Sequence, residues 1–157
     1  TVLFEGTNAS EGRGTTRPFE LVGAPWVDAE ALAHQMNGRG LPGVYFRPAV
    51  FEPTFQKHAK TTCGGCQIHV LDRVAFKPVL VGVALIDAIR AAGPSAFAWR
   101  RPPYEYEHDK EPIDILAGSP ELRTAIDAGA RAEDLVAEWE RDSRPFEKVR
   151  ADYLIYT

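Results

Sequence analysis

The chain has 157 residues, 45% of them hydrophobic and 25% charged, a balance that supports one packed core and excludes a fibrous or disordered chain. Lysine and arginine total 18 against 22 aspartates and glutamates, a net charge of -4, and no basic run is denser than Arg100-Arg101, so a nucleic-acid partner is disfavoured. The longest apolar run, residues 78–89, contains Gly82 and Asp87 and falls short of the ~20 residues that cross a bilayer, so no membrane span is expected.

Val2, Leu3 and Phe4 read as a short buried strand with no polar lead-in, so Thr1 is expected to mark a domain boundary in a longer protein. A long polar loop, residues 5–16, follows with three glycines, and loops of that length inside a compact domain are usually functional. Residues 19–22 suggest a second strand, closed by Gly23 and Pro25. Asp28 is a natural N-cap for a helix on which Ala31, Leu32, Gln35 and Met36 recur until Gly38 and Gly40 stop it.

Residues 43–47 and 66–72 read as strands. In the second, Cys66, Ile68 and Val70 share one face and Gln67, His69 and Leu71 the other. Residues 79–92 form a largely buried helix ended by Gly93-Pro94. Ser119-Pro120 starts another through Leu122 and Ile126, stopped by Gly129. Residues 133–142 carry a stripe of Leu135, Val136 and Trp139, with Pro145 as a break or kink, and residues 153–156 suggest a closing strand. Strands and helices without a βαβ rhythm predict an α+β fold, a compact mixed sheet or partial barrel with several packed helices.

Cys63-Gly64-Gly65-Cys66 invites three readings. A zinc site needs further ligands, with His58 and His69 the available ones; a redox pair would open a helix, whereas here the second cysteine opens a strand; the third reading is two buried thiols. Tyr104, Glu105, Tyr106, Glu107, His108 and Asp109 crowd ionisable and aromatic groups into one run, suited to a sugar site in which two carboxyls stand about 5–10 Å apart across a bond. In the long loop, Glu5, Asn8 and Arg13 offer a carboxylate, an amide and a guanidinium between glycines. Gln67 and His69 form a polar pair on one strand face.

The string Leu3-Phe4-Glu5-Gly6-Thr7-Asn8, with Gly12-Arg13-Gly14-Thr15-Thr16-Arg17-Pro18-Phe19 and Gly23-Ala24-Pro25-Trp26, resembles the NamZ-like exo-β-N-acetylmuramidases, the family formerly called DUF1343. The likeness continues through Phe46-Arg47-Pro48, Cys63-Gly64-Gly65, Gln67-Ile68-His69-Val70, Phe97-Ala98-Trp99 and Pro103-Tyr104-Glu105-Tyr106-Glu107. It implies a C-terminal, cleft-closing domain whose Rossmann-like N-terminal partner carries the principal catalytic carboxylates. The reaction it implies is release of N-acetylmuramic acid from the non-reducing ends of peptidoglycan fragments. Glu5, Asn8, Arg13, Gln67, His69 and Tyr104 become the substrate-binding candidates, and a muramic-acid-containing glycan or muropeptide the ligand.

No metal or cofactor is implied, and Cys66 departs from the family pattern, where an aliphatic residue is expected. The chain alone is expected to be inactive. The rival reading is a non-catalytic muropeptide- or protein-binding module. Arg13 is the residue offered for the lactyl carboxylate of muramic acid, since a guanidinium pairs with a carboxylate bidentately.

Overall fold

Three short strands pair antiparallel in the order β1-β3-β2, where β1 is Leu21–Ala24, β2 is Val44–Phe51 and β3 is Cys63–Val70. The computed structural model describes residues 2–156, apart from the side chain of Asp142. Five helices accompany the sheet: α1 Ala29–Gly38, α2 Pro78–Ala92, α3 Pro112–Ala117, α4 Glu121–Asp127 and α5 Ala132–Ala151. The fold is α+β, as the sequence predicts.

The centre β3 strand explains the Cys-Gly-Gly-Cys motif. Gly23 of β1 faces Gly65 of β3, and a Cβ on Gly65 would overlap the Val22 carbonyl oxygen, while one on Gly64 would overlap that of Val27. Close backbone approach therefore demands both glycines. Cys63 and Cys66 are free and buried, and residues three apart on a strand face opposite sides. Burial alone pushes their thiols up, to about 11 and about 12. Both values hold the thiols protonated, which disfavours the redox and metal readings.

Pro48 falls inside β2, opposite Cys66. It is tolerated because β2 is an edge strand, where a missing donor costs the sheet no internal bond. Asn37, at the end of α1, serves the same strand: its Nδ2 donates to the Phe46 carbonyl at 2.8 Å and its Oδ1 accepts from the Phe46 N–H at 2.9 Å. Helix α1 starts as predicted, with Asp28 Oδ1 accepting from the Ala31 N–H at 2.7 Å. Against it packs α2, buried on nearly every side through Val81, Val83, Ala84, Leu85, Ile86, Ala88 and Ile89.

Five expectations need correction. The strand expected at 66–72 runs over Cys63–Val70, so the first cysteine and not the second opens it, and Leu71 lies beyond its end. Residues 2–4 are not a strand but the start of a 3-10 turn, Val2–Gly6, closed by the Thr7 hydroxyl and N–H, which both donate to the Phe4 carbonyl at 2.9 Å. That turn drives Phe4 into the core. Helix α5 does not end near residue 142 but continues through Pro145; its described residues from Arg141 onward are exposed, so the lost backbone bond strands no buried group. Residues 153–156 form no strand, since they follow the helix directly and meet no sheet edge. The strand expected at 19–22 runs instead over Leu21–Ala24, with Gly23 inside it because it faces a glycine. Among the described residues no helix is long and apolar enough to cross a membrane.

Candidate functional site

The loop after the first turn has almost no regular structure, yet it buries the Glu11 carboxylate. Arg13 bridges two carboxylates, with Nη2 at 2.6 Å from Glu5 Oε1 and Nε at 3.2 Å from Glu11 Oε1. Glu11 is 2% exposed, and its other oxygen accepts from Lys57 Nζ at 2.7 Å. The remaining donors of Lys57 go to the Phe4 and Ala9 carbonyls, at 2.7 and 3.1 Å. Glu5 Oε2 accepts from the Tyr104 hydroxyl at 2.8 Å. The result is a continuous chain, Lys57–Glu11–Arg13–Glu5–Tyr104, in which cations and anions alternate.

This chain lines a polar hollow of about 250 Å³, joined at its rim by Gln56, Arg100 and Glu105. Burial pushes the Glu5 carboxyl up, but the bonds from Tyr104 and Arg13 outweigh it and hold the group below its usual range. Tyr104 moves the other way, its phenol raised chiefly by the bond to Glu5. Glu5 is thus an anion with both oxygens engaged, and a carboxylate with about four lone-pair sites can still accept from a ligand hydroxyl. Burial lowers the Lys57 ammonium, and the Glu11 pair offsets this only in part.

Backbone strain marks the same place. Gln56 and His58, on either side of Lys57, have φ of 68 and 57°, and Glu105, next to Tyr104, has φ of 53°. Non-glycine residues in the left-handed region cost free energy and cluster where geometry is functional. Tyr104 is held further by a tight turn in which its N–H and carbonyl each bond Glu107, both at 2.9 Å.

Asn8 is near this hollow but turned away from it. Its Nδ2 donates to the Ala96 carbonyl at 2.8 Å and its Oδ1 accepts from the Ala98 N–H at 2.9 Å, so the amide clamps the segment that leads to Arg100. Gln67 and His69 lie on the sheet face instead. The amide of Gln67 accepts from Arg47 Nη2 at 2.5 Å and donates to Glu20 Oε2 at 3.1 Å, and Arg17 bonds Glu20 at 3.0 Å. His69 Nε2 is buried and has no partner among the described residues. Phe19, which precedes Glu20 in the chain, has its ring centroid 4.9 Å from Arg13 Cζ.

The structure therefore brings Glu5, Arg13 and Tyr104 together, sets Asn8 behind them, and separates Gln67 and His69. Sequence reasoning missed Glu11, Lys57 and Arg100. Glu11 was visible as a charge among glycines, whereas Lys57 reaches it from 46 positions away and carries no local signal.

Among the described residues no three of His, Cys, Asp and Glu come together as a metal site. The carboxylates of Glu5 and Glu11 in this hollow offer acceptors for a ligand that carries hydroxyl or amide donors. Residues 1–156 match the family described as exo-β-N-acetylmuramidase NamZ, C-terminal, and the chain belongs to that family. It is 42% identical over 156 residues to the peptidoglycan β-N-acetylmuramidase NamZ of Bacillus subtilis (strain 168), covering 99% of this chain and 36% of that protein.

Two crystal structures of DUF1343 family proteins from Bacteroides fragilis NCTC 9343 share the fold. One has a TM-score of 0.83 at 26% identity, over 99% of this chain and 40% of that one. The other has a TM-score of 0.64 at 24% identity, over 99% and 38%, and likens the fold alone. This chain spans well under half the length of each relative.

Proposed function

We propose that this chain is the C-terminal, cleft-closing part of a peptidoglycan-fragment glycoside hydrolase that releases N-acetylmuramic acid from non-reducing ends. The principal catalytic carboxylates belong to a separate N-terminal part. The observation that carries this reading is Glu5, a carboxylate held ionised by Arg13 and Tyr104 at the surface of a polar hollow. An acid catalyst needs the opposite, a carboxyl that keeps its proton near neutral pH. Glu5 is suited to accepting hydrogen bonds from sugar hydroxyls and fixing the ring, so the acid has to come from elsewhere.

The other candidates take lesser parts. Arg13 and Tyr104 hold the Glu5 carboxylate, and Asn8 acts at one remove by clamping the chain before Arg100. Gln67 and His69 stand apart from the hollow: the Gln67 amide is bonded to Arg47 and Glu20 and the His69 Nε2 is buried, so both support the sheet rather than bond the ligand. Exposed apolar side chains on and after α5, with Phe146 63% and Ile155 88% accessible, are consistent with a neighbouring domain that covers them.

A chromogenic N-acetylmuramic acid β-glycoside tests the proposal. The chain alone is expected to give no turnover, and the full-length protein to give turnover that falls about 100-fold in Glu5→Gln. Turnover by the chain alone would sink the two-part mechanism. Micromolar calorimetric binding of a muramic-acid disaccharide by the chain alone, without turnover in the full-length protein, would instead establish the binding module.

A further inference from the structure

Arg100 is the cation of the hollow that the protein leaves without a counter-ion. Arg13 is bonded to Glu5 and Glu11, and Lys57 to Glu11, whereas Arg100 makes no ion pair among the described residues. Glu105 shares the rim but does not pair with it. The Arg100 guanidinium lies over the Tyr104 ring instead, Cζ 5.5 Å from the centroid, on an exposed side chain.

Its base is fixed all the same. The Arg100 N–H donates to the Gly6 carbonyl at 2.9 Å, and the preceding residues are held by both ends of the Asn8 amide. Stacking occupies the face of a guanidinium and leaves its N–H edges open, so a carboxylate can enter in the plane while the ring keeps the group aimed. Tyr104 is itself immobilised by its bond to Glu5, which ties the orientation of Arg100 to the sugar-facing carboxylate.

We propose that Arg100 is the specificity-determining residue of this hollow and pairs with the lactyl carboxylate that distinguishes N-acetylmuramic acid from N-acetylglucosamine. The inference rests on the function proposed above. Arg13, the residue that the sequence offers for this role, is already committed at Nε and Nη2, and turning it toward a ligand would leave Glu5 with Tyr104 alone and Glu11 with Lys57 alone. Arg100 meets no such cost, because it has no ion pair among the described residues to give up.

The test uses the full-length protein with the chromogenic muramic acid β-glycoside as substrate and free N-acetylmuramic acid and N-acetylglucosamine as competing inhibitors. In Arg100→Ala the KM and the inhibition constant of N-acetylmuramic acid should rise about 10- to 100-fold, the range of a lost charge-assisted pair. The effect falls on KM rather than kcat, the inhibition by N-acetylglucosamine stays as in wild type, and Arg100→Lys recovers part of the loss. An unchanged constant for N-acetylmuramic acid overturns the inference, and so does an equal rise for both sugars. A wild-type protein with no turnover of the muramic substrate overturns the proposed function, and this inference with it.

Discussion

The loop around Glu5 and the strand around Cys63 follow opposite plans. The loop has little regular structure, yet it buries Glu11 at 2% exposure and threads its charges into one chain that ends at the surface with bonding capacity to spare. The strand is regular and carries the motif that draws the eye, but the content of that motif is backbone shape, and the polar side chain of Gln67 is used up by Arg47 and Glu20. In this protein, irregular backbone presents chemistry and regular backbone closes on itself. The division is a common one, because a rigid scaffold can hold loops in geometries that no helix or strand offers.

The strand should break first. Gly65→Ala forces a Cβ into the Val22 carbonyl and to 2.7 Å from the Gly23 Cα, so we expect a loss of at least about 3 kcal/mol, read as a fall in the urea midpoint. A neutral outcome would return the Cys-Gly-Gly-Cys run to the list of candidate chemical motifs.

The loop should follow closely. Lys57→Met keeps the shape but leaves Glu11, whose side chain is 3% accessible, with Arg13 as its only cation. Removing one member of a buried pair typically costs about 3 kcal/mol. Besides the lowered midpoint, the Arg13 and Tyr104 resonances should broaden or move in the NMR spectrum, as the chain from Lys57 to Tyr104 loses its inner end. If the stability falls and those resonances stay in place, Lys57 supports the fold and not the site.

The smallest effect is on pH dependence. Glu5 is held below its ordinary value of 4.5, so its pairing adds stability above that pH and the contribution is lost as pH falls through the lower folded value. Wild type should therefore lose more stability than Glu5→Gln when acidified below about pH 4.5. Parallel acid-denaturation curves for the two proteins would mean that the Arg13 and Tyr104 bonds do not persist in solution.

Much of the scaffold was legible, and for local reasons. Asp28 and Gly38 bracket α1, the unbroken apolar run is α2, and the alternation around Ile68 is β3. Helix α3, Pro112–Ala117, is too short for its periodicity to register, and the turn at Val2–Gly6 depends on Phe4 being drawn into a core that other segments build. The apolar residues 153–156 have strand propensity without an edge to join, which only the topology reveals.

The site divides in the same way. Glu5 and Arg13 stand out as charges between glycines in one long loop, and Tyr104 stands out in its aromatic and acidic run. Lys57 and Arg100 look like ordinary surface cations until the tertiary fold brings one beneath Glu11 and the other over the Tyr104 ring.

The two shielded thiols have a practical use. Because Cys63 and Cys66 are buried and protonated up to about pH 11 and about 12, a cysteine introduced at Val74, 97% exposed, would be the only nucleophile a maleimide dye meets at neutral pH. A single fluorophore could then report on ligand or partner binding by this chain, with both native cysteines left in place.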